Sequence, residues 1–77
     1  MKFTQYFLYI RTRPDRSCIK EEWIQKAIDN PLRTEVQKDA RIRKWIYIKE
    51  VRKYLRIILL SDGVTVHNAF FDRDSQE

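Results

Sequence analysis

The chain's one histidine, His67, shares its C-terminal half with an interleaved set of cations and rings: Arg43, Trp45, Tyr47, Lys49, Tyr54 and Arg56. Cations at such spacing neutralise phosphates, and rings between them give unpaired bases surfaces on which to stack. An imidazole that titrates near neutral pH can move a proton, while a guanidinium beside it stabilises charge developing on a phosphorane. His67 and Arg56 are therefore the candidate catalytic pair. Arg43, Trp45, Tyr47, Lys49 and Tyr54 are the candidate nucleic-acid-binding set. Cleavage of this kind proceeds by attack of a ribose 2′-hydroxyl on the adjacent phosphate and needs no cofactor. An alternative use of the same rings is packing. If Phe3, Tyr6, Phe7 and Tyr9 fold over this side, then Trp45, Ile58 and Phe71 form a second small core.

Other chemistries find little support. Gly63 is the only glycine, so no glycine-rich loop can cradle a nucleotide phosphate. One cysteine and one histidine cannot supply a zinc site, and Cys18 has no partner for a disulfide within the chain. Cys18 reads as a small apolar residue beneath the start of a helix. The acidic residues Asp62, Asp72, Asp74 and Glu77 are too scattered for a divalent-metal cluster, so neither metal nor cofactor is expected. The longest apolar run, residues 57–60, falls far short of the roughly 20 residues that cross a bilayer, and no secretory leader is expected. A cytoplasmic protein without a membrane partner fits these features.

The elements that must position the candidate residues follow from periodicity. Ile19, Trp23, Ile24, Ala27 and Ile28 recur at helical spacing, Glu21 and Glu22 suit a first turn, and Pro31 ends the run, predicting one amphipathic helix over residues 18–30. After Pro31 the period becomes two. Residues 42–50, 54–61 and 64–71 have the β-branched and aromatic content of strands, and residues 33–38 of a short fourth one. Asp62-Gly63 is a strong hairpin signal; counting outward from it sets Leu59 opposite Val66, Ile58 opposite His67 and Arg56 opposite Ala69. Closing the preceding hairpin around Val51-Arg52 sets Leu55 opposite Ile48, Arg56 opposite Tyr47 and Ile58 opposite Trp45.

Both counts put Ile46, Ile48, Leu55, Ile57, Leu59, Val64, Val66 and Phe70 on one aliphatic face, the seat for the helix. The candidate residues share the other face with Ile58, Thr65 and Phe71. The expected fold is α+β, with one amphipathic helix on one face of a 3–4-stranded antiparallel sheet. Residues 3–11 alternate poorly and are expected as an edge strand rather than a helix.

A chain of 77 residues suits one domain, spanning 1–77, with an acidic, frayed tail from about residue 74. Its net charge is +5, and the excess is uneven: residues 1–61 hold 15 basic and 7 acidic side chains, residues 62–77 one basic and four acidic. A basic body this small favours anionic partners, nucleic acid first among them.

Arg11, Arg13 and Arg16 around Pro14-Asp15, a helix ending in Asn30-Pro31, and a basic meander closing on Thr65-Val66-His67-Asn68-Ala69-Phe70-Phe71-Asp72-Arg73 give a characteristic element order. In that order the chain resembles the BrnT-like branch of the RelE/ParE toxin superfamily over about residues 10–73. The resemblance implies a bacterial, cytoplasmic, metal-independent ribonuclease-type domain, held by a cognate antitoxin-like protein that covers its basic face. By type and position it points to Arg56 and His67, and adds Arg73 as a further phosphate ligand. It departs from the better-known members in having one helix where they open with a longer helical hairpin. The expected function is a toxin-like RNA-binding domain, with ribonuclease activity where His67 and Arg56 act together. A non-catalytic nucleic-acid-binding module and an interaction domain docking an acidic protein use the same face; a homodimer is a further expected partner.

Overall fold

In a computed structural model, which describes residues 2–72, the chain opens with a strand of only two residues, β1 (Lys2–Phe3), and then turns directly into helix. Thr4 is the reason. It is extended, and its hydroxyl accepts the Phe7 N–H at 3.1 Å, the capping bond that starts α1 (Gln5–Ile10). Phe7 and Ile10 lie on its buried side. The edge strand expected over residues 3–11 is thus corrected to two strand residues and a helix. Pro14 in the first turn of α2 (Pro14–Ser17) presets its dihedral for a second, one-turn helix. The longest helix, α3 (Glu21–Asp29), falls inside the predicted 18–30 window and buries Trp23, Ile24 and Ala27. Cys18 lies outside it with an exposed thiol, and Ile19 takes the buried place expected of the cysteine.

Four further strands complete one five-stranded sheet: β2 (Arg33–Val36), β3 (Ile42–Ile48), β4 (Lys53–Leu59) and β5 (Thr65–Asp72), in the order β1-β5-β4-β3-β2. β1 runs parallel to β5 and the other pairs are antiparallel, so the sheet is mixed. The fold is α+β, as expected. Its strand number, the parallel edge and the three short helices correct the antiparallel, single-helix expectation.

The buried stripes of α1 and α3 lie on the same side, with Ile19 between them; α2 buries no residue. Phe7, Ile10, Ile19, Trp23, Ile24 and Ala27 form one cluster with Ile48, Leu55, Ile57, Leu59, Val66 and Ala69. A nine-residue helix has little stability by itself and depends on this packing. Lys44 secures its far end by donating to the Ile28 carbonyl at 3.0 Å, a cation where the helix dipole is negative.

The register near the second turn is as counted, with Leu59 opposite Val66. Asp62 holds that turn by accepting from Val64 N–H, Thr65 N–H and the Thr65 hydroxyl; these bonds lower its carboxyl pKa to about 2. Val64 stays in the turn, exposed, and is not part of the aliphatic face. One residue further along, a β-bulge makes His67 an extra residue in β5: Ile58 faces Asn68, Ile57 faces Ala69, Arg56 faces Phe70 and Leu55 faces Phe71. The shift exchanges the two phenylalanines. Small Ala69 fits fully buried beneath the helices, Phe71 meets the Trp23 ring at 6.3 Å, and Phe70 turns to the opposite face.

The first hairpin is longer than counted. Ile48 pairs with Lys53, leaving residues 49–52 as a four-residue turn with Arg52 at φ +54°. Glu50 is released from the strand and accepts the Trp23 indole N–H at 3.0 Å. Partners therefore move by two: Arg56 faces Trp45, Tyr54 faces Tyr47, and Ile58 faces Arg43. A shift of two keeps every side chain on its face.

Candidate nucleic-acid interface

No helix covers the second face of the sheet among the described residues. Cross-strand register gathers Arg33 and Glu35 of β2, Arg43, Trp45 and Tyr47 of β3, Tyr54, Arg56 and Ile58 of β4, and Asn68, Phe70 and Asp72 of β5 on this face. Trp45 is buried there under charged side chains, apart from the main cluster.

Guanidinium groups and rings alternate across the strands. The Arg33 guanidinium lies 4.9 Å from the Trp45 ring centre, and Arg56 stands 5.9 Å from Trp45 and 4.6 Å from Phe70. Arg16 of α2 continues the series 5.3 Å from Phe70, donating to Asn68 Oδ1 at 2.7 Å. Each such contact is worth roughly 0.5–2 kcal/mol, depending on how far it is shielded from water.

Asp72 ties the middle together. It accepts the Trp45 indole N–H at 3.0 Å, and its carboxylate lies 3.4 Å from Arg56 Nε, an ion pair whose geometry falls short of a hydrogen bond. Tyr47 and Tyr54 meet edge to face at 5.0 Å, and Tyr47 keeps 44% of its surface open. Beside Arg16 and Phe70 a hollow of about 360 Å³ is also lined by Asp15, Cys18, Lys53 and Phe71.

Of the candidate residues, Trp45, Tyr47, Tyr54 and Arg56 are brought together. Arg43 shares their face but is held near the β2–β3 turn, 3.8 Å from Glu35, with its guanidinium donating to the Gln37 side-chain oxygen. Lys49 is not on the face, because it sits in the four-residue turn. Arg73 and the acidic tail lie outside the described residues.

His67 is separate from Arg56. The bulge leaves it three residues along β5 from Phe70, the partner of Arg56, or about 10 Å of strand. Its neighbours come instead from the N-terminal segment: Tyr6 stacks on the imidazole at 5.1 Å, and Nδ1 lies 3.2 Å from the Thr4 hydroxyl. Burial first, and then the positive charge of Arg41, hold its pKa below the ordinary histidine value. A neutral ring with Nδ1 accepting from the Thr4 hydroxyl fits this setting. Of the aromatics expected to fold over the second face, Phe7 joins the main core, and Tyr6 packs on His67.

Sequence reasoning missed Phe70, Arg16 and Arg33. Phe70 was hidden by the bulge, Arg16 by the unread helix that carries it, and Arg33 by the brevity of β2. A scan of family models and searches of curated proteins and of solved structures find no match to this chain.

Proposed function

We propose that the uncovered sheet face binds single-stranded RNA. The observation that carries this reading is the alternating series Arg16, Phe70, Arg56, Trp45, Arg33, with the exposed Tyr47 beside it. Guanidinium groups already stacked on rings are preorganised, so less side-chain entropy is lost when they meet phosphates. Arg56 and Arg16 hold the backbone, and Tyr47 offers a base a stacking surface worth about 1–3 kcal/mol. A pleated face with no protruding helix suits splayed single strands better than a duplex groove. The net charge of +5 adds long-range attraction.

Cleavage is not part of this reading, because the bulge sets His67 about 10 Å of strand away from Phe70, the partner of Arg56. The toxin-like role and the antitoxin-like partner rest on the family resemblance, the cytoplasmic setting on it and on the composition, and all belong to the same proposal. Among the described residues no helix is long and apolar enough to cross a membrane.

The test is fluorescence anisotropy with a labelled single-stranded RNA over a salt series, run beside a gel assay for strand scission in EDTA. Binding without scission is expected, with Tyr47→Ala weakening affinity about 5- to 150-fold and Arg56→Ala lowering the salt slope by about 0.7. Scission that disappears in His67→Ala would restore the ribonuclease reading. Absence of RNA binding at low salt, with capture of an acidic protein instead, would replace both by a docking domain.

A further inference from the structure

The outer edge of the sheet is β2, and among the described residues no strand lies beyond it. The hydrogen bond from Gln37 N–H to the Arg41 carbonyl, 2.7 Å, fixes the parity of its pairing with β3. In that register residues 33 and 35 turn their peptide groups inward to β3, and Thr34 and Val36 turn theirs to the open side. Natural sheets usually blunt such an edge with proline, lysine or a covering loop. Here the edge carries Leu32 and Val36, which are 52% and 69% exposed, around Arg33, Thr34 and Glu35.

We infer that β2 is a self-complementary edge through which two copies of this chain pair antiparallel, with the two-fold axis at Thr34. Outward-facing residues must pair with outward-facing residues, which limits the symmetric registers to those centred on residue 33, 34 or 35. Centring on Arg33 sets arginine against arginine, and centring on Glu35 sets glutamate against glutamate. Only the Thr34 register crosses the charges: each Arg33, already 2.8 Å from Glu35 of its own chain, meets the partner's Glu35. Leu32, whose N–H is taken by the Trp45 carbonyl at 2.7 Å, adds only a side-chain contact with the partner's Val36. Opposite charges and apolar pairs directly across a ladder stabilise it, and like charges oppose it. The outward groups of Thr34 then bond to the partner's Thr34, extending one sheet into ten strands with the two uncovered faces side by side. A seam whose paired residues are 33–35 is smaller than the interfaces of permanent dimers, so the dimer forms as a concentration-dependent equilibrium. This pairing does not depend on the RNA-binding reading.

Sedimentation velocity over a concentration series tests it, with far-UV circular dichroism reporting the fold of each variant. The wild-type sedimentation coefficient is expected to rise with concentration towards that of a dimer. Thr34→Pro removes only an outward donor and leaves a folded monomer at every concentration. Arg33→Glu and Glu35→Arg each weaken association at least about tenfold, and the double exchange restores it. Register is read in a Cys18→Ser background. Thr34→Cys places two thiols about 5.5 Å apart by Cα, within disulfide range, whereas Val36→Cys places them about 13 Å apart, beyond it. Rapid cross-linking of the first and not the second is expected. A wild type monomeric at every concentration, a double exchange that fails to restore association, or faster cross-linking at position 36 would overturn the inference.

Discussion

Replacing Asp72 by alanine removes the group that joins Trp45 to Arg56. Its side chain is only 10% exposed, it accepts the Trp45 indole N–H at 3.0 Å, and it lies 3.4 Å from Arg56 Nε. Because Trp45 is buried, its indole N–H would be left without a partner, a cost of about 1–3 kcal/mol. The Arg56 side chain is 25% exposed, so the lost ion pair adds only about 0.5–1 kcal/mol after solvent screening. The expected loss is therefore about 1.5–4 kcal/mol, and for a chain of this length the melting temperature should fall by about 6–30 °C. Asp72→Asn keeps one acceptor and should lose about half as much. Urea denaturation followed by circular dichroism reads both, and a cycle with Trp45→Phe isolates the indole bond, whose coupling should be about 1 kcal/mol. A change within 0.5 kcal/mol for Asp72→Ala, or a coupling near zero, would refute the claim that Asp72 organises this face.

Three further outcomes follow from the same geometry. Ile57→Ala, at a fully buried position beneath the helices, should cost about 2–5 kcal/mol in chemical denaturation, far more than any change at exposed Tyr47. Arg52→Gly should stabilise by up to about 1 kcal/mol, because Arg52 sits at φ +54° where a Cβ is strained; a loss of stability would show that its side chain matters more than its backbone. His67 has a folded pKa below the ordinary 6.5, so the unfolded chain binds its proton first. Its contribution is complete above 6.5 and is lost as pH falls through the lowered folded value. His67→Gln should flatten this part of the stability profile, and an unchanged profile would contradict the partial burial of the ring.

Much of the sheet could be read from the residues alone. The two-residue period of 42–50 and 54–61 assigned Trp45 and Arg56 to one face and Leu55 and Ile57 to the other, and a shift of two in register left those sides intact. The stripe of Trp23, Ile24 and Ala27 gave the main helix, and Asp62-Gly63 gave Leu59 opposite Val66. What escaped was decided by contacts remote in sequence. The long first turn is coupled to Trp23, 27 residues away, whose indole captures Glu50. The bulge at His67 depends on which of Ala69 and Phe70 fits under the helices, a question of volume and not of pattern. β1 is two residues long, too short for any period, and its partner lies at the other end of the chain. Thr4 followed by Phe7 and Ile10 was a readable capping signal for α1, masked by the aromatic content that suggested a strand.

The chain's two tryptophans provide the most direct test of the proposed face, because each indole N–H reports on one side of the sheet. Trp45 donates to Asp72 on the uncovered side, and Trp23 donates to Glu50 on the helix side. Adding single-stranded RNA to ¹⁵N-labelled protein should shift the Trp45 indole resonance progressively and leave that of Trp23 in place. A Trp45 signal that stays fixed while Trp23 moves, or while neither moves at saturating RNA, would contradict the assignment of the binding surface.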